Sequence, residues 1–275
     1  MATALIPGSD THPVRLLTQF PSMQPQPTYI VTGSTRGIGR AVAAELANRG
    51  FRVIAVGRSI EMLASLGESC GPLLTTVQAD LSTNVGIEQV AAGITAETEI
   101  DGIVHSAGSL VPLQPYNAID SDELTEHFRI HVGAPIALFR SVSRNHRIRR
   151  MLFIDSYSAS TARVGWAAYS IVKAAAQMAA RCAAQELAET RTIRAYPGAV
   201  NTRIVDAVLA SDTETANTFA SMRTKGEFSE SDEVAKFLVS LLADASDELL
   251  CSRDTFDYNN AVDRADVSSM SRDGT

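Results

Sequence analysis

Residues 29–39 have the sequence Tyr29-Ile30-Val31-Thr32-Gly33-Ser34-Thr35-Arg36-Gly37-Ile38-Gly39. The apolar, β-branched beginning predicts a buried strand, and the residues from Gly37 onward predict a helix. A strand, a glycine turn and a helix in this order place free backbone N–H groups at the positive end of the helix dipole, where a pyrophosphate binds. Glycine is required because a side chain would keep the backbone away from the phosphates, or the helix away from the strand. The segment therefore predicts a dinucleotide-binding turn formed by Gly33, Ser34, Thr35, Arg36, Gly37, Ile38 and Gly39.

The composition excludes several classes of protein. The 275 residues are 45% hydrophobic and 20% charged, which suits one domain with one core and does not suit a disordered or collagen-like chain. No apolar run approaches the roughly eighteen residues of a membrane-spanning helix, so we expect no membrane partner. The net charge of −7 offers no general attraction to nucleic acid, so we expect none as a partner.

The cysteines indicate the compartment. Cys70, Cys182 and Cys251 are odd in number, widely spaced and without a CxxC pair. This spacing favours neither a disulfide framework nor a zinc site, and we expect no metal. A reducing compartment fits best, so we expect a cytoplasmic protein.

Short β-branched runs alternate with helical patterns between residues 28 and 262. This alternation predicts the α/β class, with a single doubly wound Rossmann domain whose mostly parallel seven-stranded sheet carries helices on both faces. The strand candidates are TYIVTG, FRVIAV, LLTTVQA, IDGIVHSAG, RMLFIDS, TIRAYPG and TFDY. The helix candidates are Gly37–Arg49, Ile60–Ser69, Val85–Glu97, Ser121–Ser143, Ala167–Thr190 and Ser229–Ala243.

The two ends of the chain differ from this pattern. Residues 1–27 contain five of the ten prolines and show no sustained periodicity, which predicts a flexible leader. Residues 263–275 are rich in Ser, Asp and Arg, and we expect a flexible tail there. The predicted catalytic domain therefore spans residues 28–262.

The end of the second strand indicates which dinucleotide binds. An NAD-specific site would place an acidic residue there for the ribose 2′-hydroxyl, but the chain has Arg58. A guanidinium pairs instead with a 2′-phosphate, which Arg36 can approach from the glycine turn, so the sequence predicts NADP(H). The alternative is that both arginines are ordinary surface residues. After the third strand, Asp80, followed by Leu81, is placed either to accept from the adenine amino group or to cap a helix.

A second group of residues suggests acid–base chemistry. Tyr169 and Lys173 are four residues apart, so on a helix they share one face with Cβ atoms about 5–6 Å apart. A neighbouring ammonium favours the phenolate, and such a pair can act as general acid and base on a carbonyl/alcohol couple. Ser156, at the end of a predicted strand, is placed to hydrogen-bond the substrate oxygen from the same crevice.

These features together resemble the short-chain dehydrogenase/reductase family over about residues 28–262. The resemblance implies that Tyr169 is the proton donor, that Ser156 orients the carbonyl, and that Lys173 holds the nicotinamide ribose. The matching pieces, in the family's order, are Thr32-Gly33-x3-Gly37-Ile38-Gly39, Asp80-Leu81, Ala107-Gly108, Ser156 with Tyr169-x3-Lys173, and Pro197-Gly198-Ala199-Val200-Asn201-Thr202.

The resemblance also implies the surroundings of the reaction. The expected cofactor is NADP(H), the expected partner is a small-molecule carbonyl or alcohol, and residues 203–228 are expected to form a mobile lid. The alanine-rich helix that begins at Ala167 implies a homodimer or homotetramer, although alanine also simply favours helix. Beyond the glycine turn and Arg58, the implied cofactor contacts are Asp80, Leu81, Ala107, Gly108, Tyr169, Lys173, Pro197, Gly198, Val200 and Thr202.

Within the family, three short phrases are similar to the sepiapterin reductase and benzil reductase branch. They are Gly165-Trp166, Val111-Pro112 and Phe256-Asp257-Tyr258-Asn259. Enzymes of that branch reduce a carbonyl that lies next to another carbonyl, with NADPH as the reductant. The similarity therefore predicts an α-dicarbonyl as the substrate class.

Two departures from the family pattern leave a second function open. The family usually has an Asn-rich phrase after the fourth strand where this chain has His105-Ser106, which loosens the expected adenine pocket. The helix Asn that holds a relay water is His131 here. An imidazole both donates and accepts, so His131 either carries the relay or only fills space. The alternative function is an NADP(H)-binding regulatory or catalytically impaired protein. The glycine spacing disfavours the longer epimerase or dehydratase subtype.

Overall fold

A parallel sheet of seven strands forms the centre of the molecule, in a computed structural model that describes residues 26–95, 99–108, 113–211 and 213–270. The strand order is β3-β2-β1-β4-β5-β6-β7, and every neighbouring pair is parallel. The predicted doubly wound α/β fold is confirmed. The strands are β1 (Thr28–Thr32), β2 (Arg52–Gly57), β3 (Leu74–Gln78), β4 (Ile100–His105), β5 (Ile148–Ile154), β6 (Arg191–Tyr196) and β7 (Phe256–Asp257).

Helices cover both faces of this sheet. Connections between parallel strands need a crossover, and the helices that form these crossovers bury the apolar strands on both sides. The helices are α1 (Gly37–Asn48), α2 (Ile60–Cys70), α3 (Asn84–Ala92), α4 (Ser121–Phe128), α5 (Ala134–Val142), α6 (Ala167–Glu186), α7 (Arg203–Leu209), α8 (Glu214–Lys225), α9 (Ser231–Ala243), α10 (Asp247–Cys251) and α11 (Ala261–Met270).

The core has two layers because successive strand residues face opposite sides of the sheet. In β1, Val31 packs into the layer formed by α1, α2, α9 and α11, and Ile30 packs into the layer formed by α3, α5 and α6. Both side chains are fully buried. Nearly continuous apolar runs in the strands are therefore the direct consequence of burial on both faces.

Two of the predicted helices differ from the observed ones in an informative way. The long helix expected over Ser121–Ser143 is interrupted by a π-helical turn, Arg129–Gly133, between α4 and α5. The helix expected to reach Thr190 ends at Glu186. The next residues turn toward β6, and the Thr190 hydroxyl donates to the Ile148 carbonyl oxygen (2.8 Å).

The end of the folded chain also differs from the prediction. Residues 263–270, expected in a flexible tail, belong to α11, where Val267 is 1% exposed. Arg253 fastens this helix by donating to Asp263 and to Asp266 (2.7 Å). The polar composition of residues 263–275 predicted a flexible tail, but these tertiary contacts stabilise a helix over residues 261–270. The predicted leader lies almost wholly outside the described residues, as do residues 271–275 and the Val111-Pro112 phrase.

The strand order determines where a ligand site can form. The chain runs outward from β1 to β3 and then returns to β4, so β1 and β4 flank the point where the winding direction reverses. In open α/β sheets, ligands bind outside the carboxyl ends of the strands at such a point. Within the described part of the chain, no helix is long and apolar enough to cross a membrane.

Candidate active site

A cleft of about 1740 Å³ opens at the carboxyl ends of the strands. The glycine turn lines one part of the cleft, and α6 with the end of β5 lines another. Of the residues predicted from the sequence, Ser34 and Gly39 are buried and do not line the cleft. The predicted residues that do are Gly33, Thr35, Arg36, Gly37, Ile38, Arg58, Asp80, Leu81, Ala107, Gly108, His131, Ser156, Tyr169, Lys173, Pro197, Gly198, Val200 and Thr202.

The turn after β1 depends on two of its glycines. Gly33 has a φ of +71°, and a Cβ there would lie 2.8 Å from the backbone of Ala107. A Cβ on Gly39 would lie 2.5 Å from the carbonyl oxygen of Gly33. These distances are too short for real contacts, so only glycine lets α1 pack directly on the turn. The amide of Ser34 donates to Val56 (3.0 Å), which ties the turn to β2.

The link between the ends of β1 and β4 is made by Thr32. Its hydroxyl donates to the Val104 carbonyl oxygen (3.1 Å) and accepts from the amides of Ser106 (3.2 Å) and Ala107 (3.1 Å). The sequence predicted a looser pocket here, because His105-Ser106 stands where the family has an Asn-rich phrase after the fourth strand. In the structure, one buried threonine hydroxyl ties the two strands together instead.

Positive charge gathers at the part of the cleft beside β2. Arg36 and Arg58 are exposed there, and the Arg58 carbonyl oxygen accepts from Gln78 Nε2 (3.0 Å). Arg40, which the sequence analysis missed, lines the same region and donates to the Met62 carbonyl oxygen (3.1 Å). Its position one helical turn after Arg36 was the signal that could have identified it. Three guanidinium groups therefore face this end of the cleft.

Asp80 follows β3 and faces the same region. Its carboxylate accepts from the amide (3.0 Å) and the hydroxyl (2.8 Å) of Ser82. Partial burial opposes ionisation, but these hydrogen bonds and the charge of Arg58 lower the pKa of Asp80 below its ordinary value. The cap of α3 is Thr83, which accepts from the Gly86 amide (3.0 Å), so the alternative of Asp80 as the helix cap is wrong.

The first turns of α6 carry the predicted acid–base pair. Tyr169 is 7% exposed and packs edge-on against Trp166, with ring centroids 5.7 Å apart. One turn later, Lys173 Nζ donates to the carbonyl oxygen of Ile154 (3.0 Å), the last residue of β5. Ser156 follows two residues later, and its Oγ accepts from the Ser158 amide (3.2 Å). The fold thus brings Ser156, Tyr169 and Lys173, three of the four predicted catalytic residues, to one cleft from two different parts of the chain.

His131 lies in the π-helical turn between α4 and α5. It is buried, and a Cβ on Gly108 would collide with its ring, so the imidazole packs directly against that backbone. It lines the large cleft and also an adjoining cavity of about 30 Å³ that Lys173 lines from another side. π-Helical turns often occur at functional sites because they redirect a side chain out of the regular helix.

The adjoining cavity, which Lys173 also lines, has a mixed lining of apolar and polar side chains. Its polar lining includes His105, Asp155, Gln177 and Arg194. Burial lowers the pKa of His105 to about 3, so this imidazole is neutral. Its ring packs on Phe153 with centroids 4.7 Å apart, and among the described residues its Nε2 has no hydrogen-bond partner.

Aromatic side chains form the walls of the cleft near Tyr169. On one side Trp166 and Phe219 of α8 have centroids 6.2 Å apart, so the predicted lid region packs on the tyrosine's neighbour. On the other side Tyr157 stacks on Tyr196 at 4.8 Å. The sequence analysis missed Tyr157, although it immediately follows Ser156.

The carboxyl-terminal segment completes that second wall. The Tyr157 hydroxyl donates to Asp257, and burial together with this carboxylate raises the pKa of Tyr157 to about 12. Asn259 packs against Gly198, where a Cβ would lie 2.5 Å from the amide oxygen. Nothing local in the sequence indicated these two contacts, because they join distant parts of the chain.

The described residues contain no set of side chains arranged to bind a metal ion. Among residues 26–95, 99–108, 113–211 and 213–270, no group of three or more His, Cys, Asp or Glu side chains is placed to hold one. The polar groups of the cleft include hydroxyl, guanidinium, ammonium and imidazole groups beside carboxylates such as that of Asp80. The donors among them suit phosphates and a carbonyl oxygen.

Sequence comparisons found matches among known proteins. A family model for short chain dehydrogenase matches residues 27–213. Benzil reductase ((S)-benzoin forming) from Bacillus cereus is 24% identical over 230 residues, which cover 78% of this chain and 92% of that protein. Sepiapterin reductase from Xenopus laevis is 28% identical over 241 residues, which cover 78% of this chain and 90% of that protein.

The solved structures agree on the fold. A short-chain dehydrogenase/reductase from Saccharomyces cerevisiae superposes with a TM-score of 0.78 at 22% identity, covering 89% of this chain and 99% of that chain. The predicted resemblance to the family, and to its benzil reductase and sepiapterin reductase branch, is confirmed by the matches in sequence.

Proposed function

The chain belongs to the short-chain dehydrogenase family, and we propose that it is an NADPH-dependent carbonyl reductase acting on a ketone or aldehyde, with α-dicarbonyls as the preferred class. One observation carries the proposal. Buried Tyr169, with Lys173 one turn later, opens into the same cleft as Ser156 and the glycine turn. The α-dicarbonyl preference comes from the similarity to the benzil reductase and sepiapterin reductase named above.

The cofactor end fits a dinucleotide phosphate. Glycines at 33 and 39 leave no room for side chains, so a pyrophosphate can approach the start of α1 closely. Arg36 and Arg58, with Arg40 behind them, supply donors for a 2′-phosphate, and no acidic side chain directly follows β2 to bind a 2′-hydroxyl. When bound, NADPH supplies the hydride that the substrate carbon accepts.

The residues of this chain then handle the oxygen and its proton. Ser156 donates to the carbonyl oxygen and orients it, and Tyr169 gives the proton as negative charge develops there. Lys173 has three N–H donors. One of them binds Ile154 in the structure, and the others can hold the nicotinamide ribose and stabilise the phenolate.

His131 is proposed to pass a proton from water, through the small cavity that it lines together with Lys173, to Lys173, which in turn reprotonates the Tyr169 phenolate after each turnover. A neutral imidazole donates with one nitrogen and accepts with the other, as a relay requires. The presence of His131 where the family has an Asn also supports the second candidate, a protein that binds NADP(H) without turnover. The two candidates differ in one measurable property, which is catalysis.

The assembly proposed for this enzyme is a homodimer or a homotetramer. Ile136 of α5 and Met178 of α6 are 57% and 56% exposed, and Ile171 lies two turns before Met178 on the same face. Exposed apolar side chains on two helices that cover the same side of the sheet favour association of two copies through this side. Three free cysteines, Cys70, Cys182 and Cys251, support the proposed cytoplasmic location.

The test is a reductase assay with two cofactors. The purified protein is given benzil, butane-2,3-dione or a simple monoketone, and NADPH or NADH consumption is followed with product identification. We expect turnover of a dicarbonyl with NADPH and at least tenfold less with NADH. NADPH binding without turnover of any carbonyl would favour the regulatory candidate, and no NADPH binding would contradict both.

A further inference from the structure

A buried ion pair lies directly behind the candidate active site. Asp155 is the first residue after β5, and Arg194 is on β6. Their side chains are 4% and 6% exposed, and Arg194 Nε lies 3.7 Å from Asp155 Oδ2. A buried pair of this kind is seldom a net stabiliser, because removing both charges from water costs about as much as their attraction returns. The hydrogen bonds of Asp155 indicate a role other than stability.

Asp155 contacts both elements that carry the proposed catalytic residues. Its Oδ1 accepts from the amide of Ser156 (2.8 Å), and its Oδ2 accepts from Gln177 Nε2 on α6 (3.1 Å). One turn earlier on α6, Lys173 donates to the carbonyl oxygen of Ile154. Two successive turns of the helix are therefore fastened to two successive residues at the end of β5.

We infer that Asp155 is a positioning residue, which sets the position of Ser156 relative to Tyr169. One carboxylate oxygen holds the Ser156 amide and the other holds α6 through Gln177, so the strand end and the helix cannot shift independently. The inference rests on the proposed carbonyl reduction, in which both residues must contact the same substrate oxygen.

Arg194 keeps Asp155 suited to this task. An ionised carboxylate is an acceptor at both oxygens, which matches its two hydrogen-bond donors, Ser156 and Gln177, and the neighbouring charge of Arg194. Arg194 also donates to the exposed Asp254 (3.2 Å). Among the described residues, its Nε and Nη1 make no hydrogen bond. Removing Asp155 alone would leave a buried guanidinium poorly compensated, and the resulting loss of stability must be separated from any loss of positioning.

The experiment therefore compares three variants of the full chain. Asp155→Ala removes the positioning contacts. Asp155→Ala combined with Arg194→Met also removes the buried charge and fills its space with an apolar side chain. Asp254→Asn is the matched control, because it weakens the other ion pair of Arg194 and leaves Ser156 and Gln177 unchanged.

The measurements are melting temperature, kcat, KM for NADPH and for the dicarbonyl, and hydrogen exchange of the amides at residues 154–158. We expect Asp155→Ala to melt at a lower temperature and to lose about 10²-fold in kcat, with KM for NADPH changed by less than about threefold. The double variant should regain most of the melting temperature while kcat stays low. Asp254→Asn should keep kcat within about twofold.

Two results would overturn the inference. The first is recovery of kcat together with melting temperature in the double variant, because Asp155 would then only balance a charge. The second is an unchanged exchange rate of the Ser156 amide in that variant, where we expect at least about tenfold faster exchange. The exchange readout needs no turnover, so it tests the contact of Asp155 with the Ser156 amide separately and distinguishes its failure from a failure of the proposed function.

Discussion

Replacing Arg58 by aspartate should change the cofactor preference from NADPH toward NADH. Arg58 is exposed at the end of β2 and faces the cleft. A charge-assisted hydrogen bond to a phosphate is worth about 1.5–3 kcal/mol, and the lower half of that range applies to an exposed guanidinium. Losing it should therefore weaken NADPH binding about 10–30-fold.

The new carboxylate adds a second effect. The charge of Arg58 contributes to the lowered pKa of Asp80, so the two side chains interact in the protein. Arg58→Asp replaces this attraction with two neighbouring carboxylates, which repel a 2′-phosphate but accept from a 2′-hydroxyl. We expect total discrimination against NADPH relative to NADH to change by about 10²-fold.

The assay is a fluorescence titration of each variant with NADPH and with NADH. Arg52→Ser is the matched control, because Arg52 is an exposed arginine on the same strand but at its amino end, away from the cleft. It should leave both dissociation constants unchanged. The reasoning is refuted if Arg58→Asp weakens NADPH and NADH equally, or if Arg52→Ser has the same effect as Arg58→Asp.

Three further predictions concern stability and assembly. Because burial lowers the pKa of His105 to about 3, the unfolded chain binds a proton below pH 6.5 that the folded chain does not bind. The free energy of unfolding should then fall by about 1.4 kcal/mol for each unit by which the pH decreases from 6.5 toward 3. Urea titrations at several pH values should show a smaller fall for His105→Asn, which lacks this titrating group. An equal dependence would contradict this assignment. Thr32→Val leaves the amides of Ser106 and Ala107 without their acceptor, so the free energy of unfolding in urea should fall by about 2–3 kcal/mol. The control Thr75→Val, at an exposed position of β3, should change it little. In analytical ultracentrifugation, Met178→Arg should sediment as monomers, whereas the control Val262→Arg on α11 should keep the oligomer of the wild type. Oligomers in both variants would place the interface elsewhere.

Local sequence was enough to predict the sheet and to identify candidate site residues that the structure brings to one cleft. All seven strand candidates overlap observed strands, because burial on both faces leaves a nearly continuous apolar run. The glycine turn was equally clear from its spacing, although only Gly39 is required by a nearby contact, with Gly33, whereas Gly33 is required by its contact with Ala107 after the neighbouring strand β4. Tyr169 and Lys173 were proposed from their spacing on one helix together with the resemblance to the family, and both line the cleft.

What the sequence did not predict depends on distant contacts. Helix α11 looked like a polar tail, and Arg253 and the burial of Val267 make it helical. The pair of Asp155 and Arg194 joins two strands, and neither residue has a local signal. The same reason explains why Asn259 was missed as a neighbour of Gly198.

The most direct test of the proposed reduction is the turnover of Tyr169→Phe, with NADPH binding measured on the same sample. The variant keeps the ring packed on Trp166 and loses only the hydroxyl. We predict a loss of about 10²–10⁴-fold in kcat for dicarbonyl reduction, with the NADPH dissociation constant changed less than about threefold. A variant that keeps more than about a tenth of the wild-type kcat would contradict the role of Tyr169 as the proton donor.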